Sequence, residues 1–485
     1  MSQSTAMPRR TRIVATLGPA TDPPEILRAI LRAGVDVARV NFSHGTDEEH
    51  LGRIARLREA AAELGKNVAV LADLPGPKLR VRLKEPRDLK IGDEVIFSIS
   101  HDPINSTDLT ITEPEMLADV KPDDRILLDD GRLQLIAGRA ENQRLFTKVK
   151  MGGKLLPNKG VNLPDTPLTI PALTDRDREA IAIAAKGNVD WLALSFARNP
   201  EAAGELRTEA LKHGLNVPVL AKIERPEAVE AAEAIIAAFD GIMVARGDLG
   251  VEIPLERVPT AQKRLIALAR VAGKPVITAT DMLDSMRQNP RPTRAEAGDV
   301  ANAIYDGTDA VMLSGETAVG LYPVDAVECM SRIALEAESH LLELGHLGVE
   351  LRLTDLSIDD HITEMVVELA DRVGADAIIT PTISGRTARL LARHRPKATV
   401  IAPAPTESIL RQMAVVWGLQ PVLMDYCRRT GDDRITGAVQ AAFDQKVIEA
   451  GNLLVVLAGH PVEGGAHLPT IRLTRVGAGG AACEP

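Results

Sequence analysis

Aromatic residues are almost missing from this chain: six Phe, three Tyr and two Trp in 485 residues. A core cannot be built on rings, so Ala, Leu, Ile and Val must fill it from regular helices and strands. Cysteine is equally scarce. Cys329, Cys427 and Cys483 lie far apart, which excludes a disulfide framework and a cysteine zinc site and makes a reducing cytoplasm the expected compartment. No apolar run approaches the length of a membrane span, and the opening MSQSTAMPRR lacks the apolar centre of a secretion signal. Positive charge is not in excess: the formal net charge is -10, which argues against a nucleic-acid surface but allows a local cationic pocket. The phosphate-binding motif G-x-x-x-x-G-K-S/T is absent, so this is not a P-loop protein.

What is present is length and order. At 485 residues the chain is too long for one core, and two to four domains are expected. Apolar runs alternate with helical periods from the start: strands over 12–17, 35–40 and 68–72, with helices between them. The pattern then breaks. Residues 74–170 carry short alternating runs with turn residues and no helical period, which reads as a small inserted β domain with hinges at PGP and LPDTPLTIP. Strands resume over 189–194, 217–221, 241–245, 275–278 and 309–313, each beside a helical stretch. Eight such units make a closed (β/α)8 barrel from residues 1–73 and 171–344. After a linker, residues 345–485 read as a separate open α/β domain of five strands.

Barrel active sites use residues from strand C-termini. Here those are Asn41 and Ser43, Asp73, Ser195, Lys222 and Glu224, Asp248, Thr280, and Ser314 with Glu316. The richest stretch runs from Val217 to Ile253. Its two strands end in Lys222 and Glu224 and in Arg246, Gly247 and Asp248. Two carboxylates on adjacent strand tips suit a hard divalent cation, and a lysine beside them suits a phosphate or a developing oxyanion. A solvated loop with ordinary surface charge is the plain alternative. In VARVNFSHG, alternation puts Arg39, Asn41 and Ser43 on one side; the arginine fork matches a phosphoryl group, and the Asn and Ser oxygens suit a monovalent cation or a helix cap. Thr280 is placed to donate a proton or hold water over a substrate carbon, or else to bond its own backbone. A metal site ringed by cations is what phosphoryl transfer requires.

The stretches RTRIVATLGPAT, VARVNFSHG, KGVNLP, AKIERPEAV, IMVARGDLGVEIP, ATDMLDSM and DAVMLSGETA resemble the pyruvate kinase family, in the family's order and around an inserted β domain. The resemblance implies transfer of a phosphoryl group from phosphoenolpyruvate to ADP. It implies Glu224 and Asp248 as ligands of Mg2+ or Mn2+, with Asp248 and Gly247 also on the substrate. It implies Lys222 on the transferring phosphoryl and the enolate, Arg39 on the phosphoryl group, and Thr280 near the carbon that gains a proton. Asn41, His44, Arg80, Asp129 and Lys159 are its nucleotide-side contacts. It also implies a regulatory C-terminal domain, with a phosphorylated sugar or nucleotide effector held by Thr382, Ser384, Gly385, Arg386 and Thr387, and a homotetramer. It implies neither nucleic-acid nor membrane partners.

One departure from the family pattern has chemical weight. Where many members carry DTKGPEIR and need potassium, this chain reads Asp73, Leu74, Pro75, Gly76, Pro77, Lys78, Leu79, Arg80. Asn41, Ser43 and Asp73 keep the family's cation ligands, but Leu74 replaces a threonine and Lys78 a glutamate. An ammonium group can stand in for the monovalent cation, so activity without potassium is expected. Asp281 stands where a glutamine is usual. Two other readings remain open: a metal-dependent barrel acting on pyruvate or phosphoenolpyruvate as an aldolase or phosphomutase, and a catalytically silent metabolite binder.

Overall fold

The computed structural model describes residues 9–166, 171–345, 357–425, 431–461 and 467–485. The N-terminal approach, Cys427, much of the linker, part of LPDTPLTIP and part of the C-terminal GHPVEGGAHLP stretch lie outside them.

Eight parallel strands close the barrel: β1 (Arg12–Thr16), β2 (Val37–Asn41), β3 (Ala69–Asp73), β4 (Trp191–Leu194), β5 (Val219–Ile223), β6 (Gly241–Ala245), β7 (Val276–Ala279) and β8 (Ala310–Leu313). Each neighbours the next in sequence, and β1 pairs with both β2 and β8. The strands are buried on both faces, which is why they read as continuous apolar runs. Parity then sorts their residues. Ile13, Ala38, Val70, Leu192, Ala221 and Val244 pack outward against the helices. Val14, Val37, Ala69, Leu71, Ala193, Leu220 and Met243 fill the interior. Two residues further along the interior positions stand Thr16, Arg39, Asp73, Ser195 and Lys222, where the barrel opens at its C-terminal end.

Three of the barrel's helices begin where the sequence has a hydroxyl three residues before a carboxylate. Thr46 with Glu49, Thr174 with Asp177, and Thr293 with Glu296 form reciprocal caps. Two expected helices are interrupted. The one after β5 breaks at Ala231 into Pro226–Glu230 and Ala232–Ala238, and the one before β7 starts with a tight turn, Leu255–Arg257, before Val258–Val271. A helix that periodicity does not signal, Arg246–Glu252, leaves β6 directly. It is too short to show an apolar stripe.

Between β3 and β4 lies an antiparallel five-stranded sheet in the order Val161–Asn162, Arg125–Leu128, Leu133–Glu141, Arg144–Met151 and Glu94–Ser98. Phe97, Ile126, Leu135 and Leu145 form its own core.

The C-terminal sheet has six strands rather than the five expected from periodicity. β9 (Ala377–Ile379), β10 (Thr399–Ala404), β11 (Leu419–Leu423) and β12 (Leu453–Pro461) are parallel; β13 (His467–Val476) and β14 (Ala482–Cys483) add on antiparallel. The extra strand is only two residues long and lies in a Gly/Ala-rich tail, where no alternation exists to announce it. This domain sits under the barrel's N-terminal end. Trp191 at the start of β4 donates to Gln412 O at 3.0 Å, and Arg12 at the start of β1 donates to Val416 O at 2.9 Å. Arg411 pairs with Asp190 at 2.9 Å and Arg395 with Asp309 at 3.1 Å. Among the described residues no helix is long and apolar enough to cross a membrane.

Phe97 is wholly buried in the inserted sheet and is the one ring among the described buried residues of that core, Phe146 lying outside it. Phe97→Ala should weaken that layer by about 3–5 kcal/mol. Limited proteolysis should then cut within residues 74–166 sooner than in the parent protein, while cleavage of the barrel keeps its rate. Unchanged proteolysis of the insert would contradict this.

Candidate active site

Lys222 is the centre of the barrel mouth. Its ammonium lies 3.3 Å from Asp73 Oδ1 and 2.8 Å from Glu224 Oε1, and donates to Ser195 Oγ at 2.8 Å. The Ser195 hydroxyl itself donates to Leu74 O at 2.7 Å, so its lone pair is turned to the lysine. Asp73 is 1% exposed and is held from the other side by Arg39, whose Nε donates at 2.6 Å. Arg39 Nη1 also donates to Thr16 at 3.0 Å. Every member of this set belongs to the interior parity class, so the strand pleat assembles them. Sequence reading placed Ser195 only among the strand tips. Its role as the lysine's orienter has no signal of its own, because a serine after an apolar strand is common.

Burial alone would strip Lys222 of its proton, but Asp73, Glu224 and Asp248 outweigh it and raise the pKa, so the group stays cationic. Burial would likewise raise the Asp73 carboxyl, and the charges of Lys222 and Arg39 hold it below its ordinary range. Glu224 is different. Burial pushes its carboxyl up; Lys222 opposes this, Asp248 adds to it, and the result is about 7. Glu224 Oε2 accepts from Phe196 N at 2.7 Å, in a residue with φ of +55°. Oε1 touches Lys222 but receives no directed hydrogen bond. A buried carboxylate with one oxygen unserved, repelled by a second carboxylate, fits a hard divalent cation.

Asp248 lies in the first turn of Arg246–Glu252, where the helix end favours negative charge. Gly247 N donates to Thr280 Oγ1 at 2.6 Å, and the same hydroxyl donates to Ala279 O at 2.6 Å. Thr280 thus bonds its own neighbour's backbone and also faces the Asp248 turn. Its φ is +70° and that of Asp281 is +54°, a conformation a β-branched residue resists. Arg246, which sequence reading left without a role, holds this turn: it donates to Thr280 O at 2.7 Å and Ala279 O at 3.2 Å, and pairs with Asp299 at 2.7 Å. Burial, then Asp284 and Asp248, push the Asp281 carboxyl up. Thr278, two residues earlier and on the outward side of β7, is buried against Thr308 at 2.9 Å. Glu316 is also turned inward, and accepts from Leu283 N and Ser314 N.

The remaining expected residues divide by place. Asn41 accepts from Ser43 N at 3.1 Å, which caps the turn after β2. Leu74 is wholly buried. Lys78 is exposed on the rim of the cleft between barrel and insert, a cleft also lined by Asp130, Gly160, Arg225, Asp248 and Glu252. His44 stands in a cationic field: burial, then Lys78, Arg80, Arg176 and Arg39, hold its imidazole below its ordinary range, so it is neutral near pH 7. Arg80 donates to Asn158 O at 2.8 Å, and Lys159 pairs with Asp129 at 2.8 Å on the facing edge of the insert. Arg225 ties the two parts together by donating to Leu163 O at 3.1 Å and pairing with Glu252 at 3.4 Å. Far from this cleft, Thr382 Oγ1 accepts from Gly385 N at 2.9 Å, and Arg386 pairs with Asp359 at 3.3 Å. Ser384 is exposed there, and Thr387 lines a neighbouring cavity of about 180 Å³.

The sequence pattern of the family "Pyruvate kinase, barrel domain" matches residues 8–327, and that of "Pyruvate kinase, alpha/beta domain" matches residues 360–473. The chain is 44% identical over 461 residues to the pyruvate kinase of Geobacillus stearothermophilus, covering 94% of this chain and 78% of that protein. It is 43% identical over 457 residues to that of Staphylococcus aureus MRSA252, covering 93% and 78%. It is 41% identical over 462 residues to that of Bacillus licheniformis, covering 94% and 79%.

The elevated Glu224 pKa has a testable sign. In the metal-free protein the neutral carboxyl stabilises the fold below the ordinary value of 4.5, and that contribution is lost as pH rises through about 7. Cation binding requires the carboxylate, so Mn2+ titrated at pH 6.5 should release part of a proton. Calorimetry in buffers of different ionisation enthalpy measures this, and Glu224→Gln should abolish the release. Proton release that persists in Glu224→Gln would assign it to another group.

Proposed function

The chain belongs to the pyruvate kinase family, and from that premise we propose that its barrel mouth transfers the phosphoryl group of phosphoenolpyruvate to ADP, with Arg39, Lys222, Glu224, Asp248 and Thr280 as the working residues. The observation that carries this is the buried Lys222, held cationic between Asp73 and Glu224 and oriented by Ser195.

Each residue has a role that its surroundings support. Arg39 is fixed through Asp73 and Thr16, which leaves its second terminal nitrogen for a phosphoryl oxygen. Lys222 steadies the negative charge shared by the leaving enolate and the migrating phosphoryl group. Glu224 and Asp248 would hold Mg2+ or Mn2+. When bound, the divalent cation neutralises charge on the substrate's oxygens and orients them. Gly247 N and Thr280 define the side of the pocket where the enol carbon takes up its proton, and the Thr280 hydroxyl is positioned to order the water that delivers it. The insert, tied by Arg225, brings Arg80, Asp129 and Lys159 over the cleft as the nucleotide side, with Asn41 and His44 beneath. Closure of this layer keeps water from the phosphoryl group.

Potassium is not required in this reading. Asp73 is already matched by two protein cations, and Lys78 stands on the rim, where its charge reaches His44. The loop of Thr382, Ser384, Gly385, Arg386 and Thr387 is the proposed receiver of an effector phosphate. It is supported by the adjoining cavity, into which the buried Thr380 Oγ1 brings a hydroxyl with no partner. The assembly is a homotetramer and the compartment cytoplasmic.

A coupled assay for pyruvate and ATP formation from phosphoenolpyruvate and ADP tests the activity directly; no ATP in the presence of Mg2+ would overturn it. Lys222→Met should lower kcat by about a thousandfold or more, while hydrogen exchange on the methyl group of pyruvate, followed in D2O, partly survives. Activity should not rise when potassium replaces a bulky organic cation, and Lys78→Glu should create a potassium requirement. A strong potassium activation of the unaltered protein would refute the substitution of ion by side chain.

A further inference from the structure

Two buried charges that hold the insert to the barrel stand beside the two carboxylates proposed as cation ligands. Arg225 follows Glu224 directly, and Glu252 follows Asp248 by one turn of the helix Arg246–Glu252. Pro226 confines Arg225 to extended backbone, at φ −128° and ψ 154°. The guanidinium reaches across the seam. Its Nη2 donates to Leu163 O at 3.1 Å and Thr166 O at 3.3 Å, where the chain returns from the insert. Its other partner on the barrel side is Glu227, at 3.2 Å. Glu252 reaches the insert independently: Oε1 accepts from Asn162 Nδ2 at 2.7 Å. Both side chains are buried, so neither tie is the screened surface pair that contributes little.

The contact between the two charges is the loose member of the set. Glu252 Oε2 lies 3.4 Å from Arg225 Nη1 and receives no directed hydrogen bond. Burial pushes the Glu252 carboxyl up; Arg225 and Asn162 pull it down, while Glu227 and Asp248 push it up again. Positive charge placed against Asp248 cancels one of these repulsions. It favours the ionised Glu252, and with it a tighter pair with Arg225. The mechanical link is as short as the electrostatic one. A single peptide bond joins Arg225 to Glu224, and one helical turn joins Glu252 to Asp248.

We propose that Arg225 and Glu252 are positioning residues that fasten the insert in step with neutralisation of Glu224 and Asp248, so that the nucleotide-side residues close over the barrel mouth once its carboxylates are matched. This rests on the reading of Glu224 and Asp248 as ligands of a divalent cation. Arg80, Asp129 and Lys159 ride on the insert, whereas Arg39 and Lys222 belong to the barrel strands. The latch therefore governs the nucleotide side and leaves the phosphoenolpyruvate side in place.

The test uses the full chain with Mn2+ as the probe. Calorimetry measures Mn2+ binding to the parent, Arg225→Gln and Glu252→Gln, and hydrogen–deuterium exchange of residues 160–166 is followed with and without saturating Mn2+. In the parent, Mn2+ should slow this exchange about fivefold or more. In both variants Mn2+ should still bind, but the slowing should disappear. At steady state both variants should raise KM for ADP about tenfold and leave KM for phosphoenolpyruvate within about twofold; a general loosening of the barrel would raise both. Glu252→Gln changes the charge with little change of shape, and it carries the test if Arg225→Gln does not fold. No Mn2+ binding in the parent would overturn the cation reading and the latch with it. Mn2+ binding without slowed exchange in the parent, or slowing that survives in Glu252→Gln, would overturn the latch alone.

Discussion

A lysine buried among carboxylates is the constraint around which the barrel mouth is built. An ammonium group cannot be taken out of water without partners. Lys222 therefore needs Asp73 and Glu224, and Asp73 in turn draws in Arg39. Each charge is tolerable only because of the others. The arrangement leaves a residual imbalance on one side: Glu224 and Asp248 repel each other, and Glu224 keeps its proton more tightly than an ordinary carboxylate. That imbalance keeps the mouth from being a closed salt-bridge network, and it is the feature on which the proposed divalent-cation role of Glu224 and Asp248 rests.

The same mouth stores conformational strain. Phe196, Thr280 and Asp281 all hold positive φ, and each adjoins a residue of the site. Phe196 presents its N–H to Glu224, and Thr280 receives the N–H of Gly247. Arg246 and Asp299 hold the second of these turns in place. Rigid strands set the charges, while strained turns set the directions of the groups between them.

Much of this was legible in the sequence, and for a physical reason. Parallel strands buried on both faces produce unbroken apolar runs, so a polar residue just past such a run stands out. Lys222, Glu224 and Asp73 stand out that way, Arg39 does so as a charge inside such a run, and the (β/α)8 order follows from the repetition. What escaped was whatever leaves no period: the seven-residue helix Arg246–Glu252, the two-residue strand Ala482–Cys483, and the part played by Ser195. Thr278 obeys parity and faces outward to Thr308; Thr280 shares that parity, and only its positive φ brings it round to the mouth, a turn that alternation along a strand does not announce.

The interior of the barrel does not end at the barrel. Val14, Leu71, Trp191, Leu220 and Ile277 form one apolar body with Val366, Leu391, Val400 and Leu410 of the C-terminal domain. A barrel severed from its companion would therefore have no floor: water would reach the undersides of its strands, and the exposed oily surface would invite aggregation. Domains that look separable on paper share a single keel here. Any inheritance, fusion or truncation of this chain has to carry the two together.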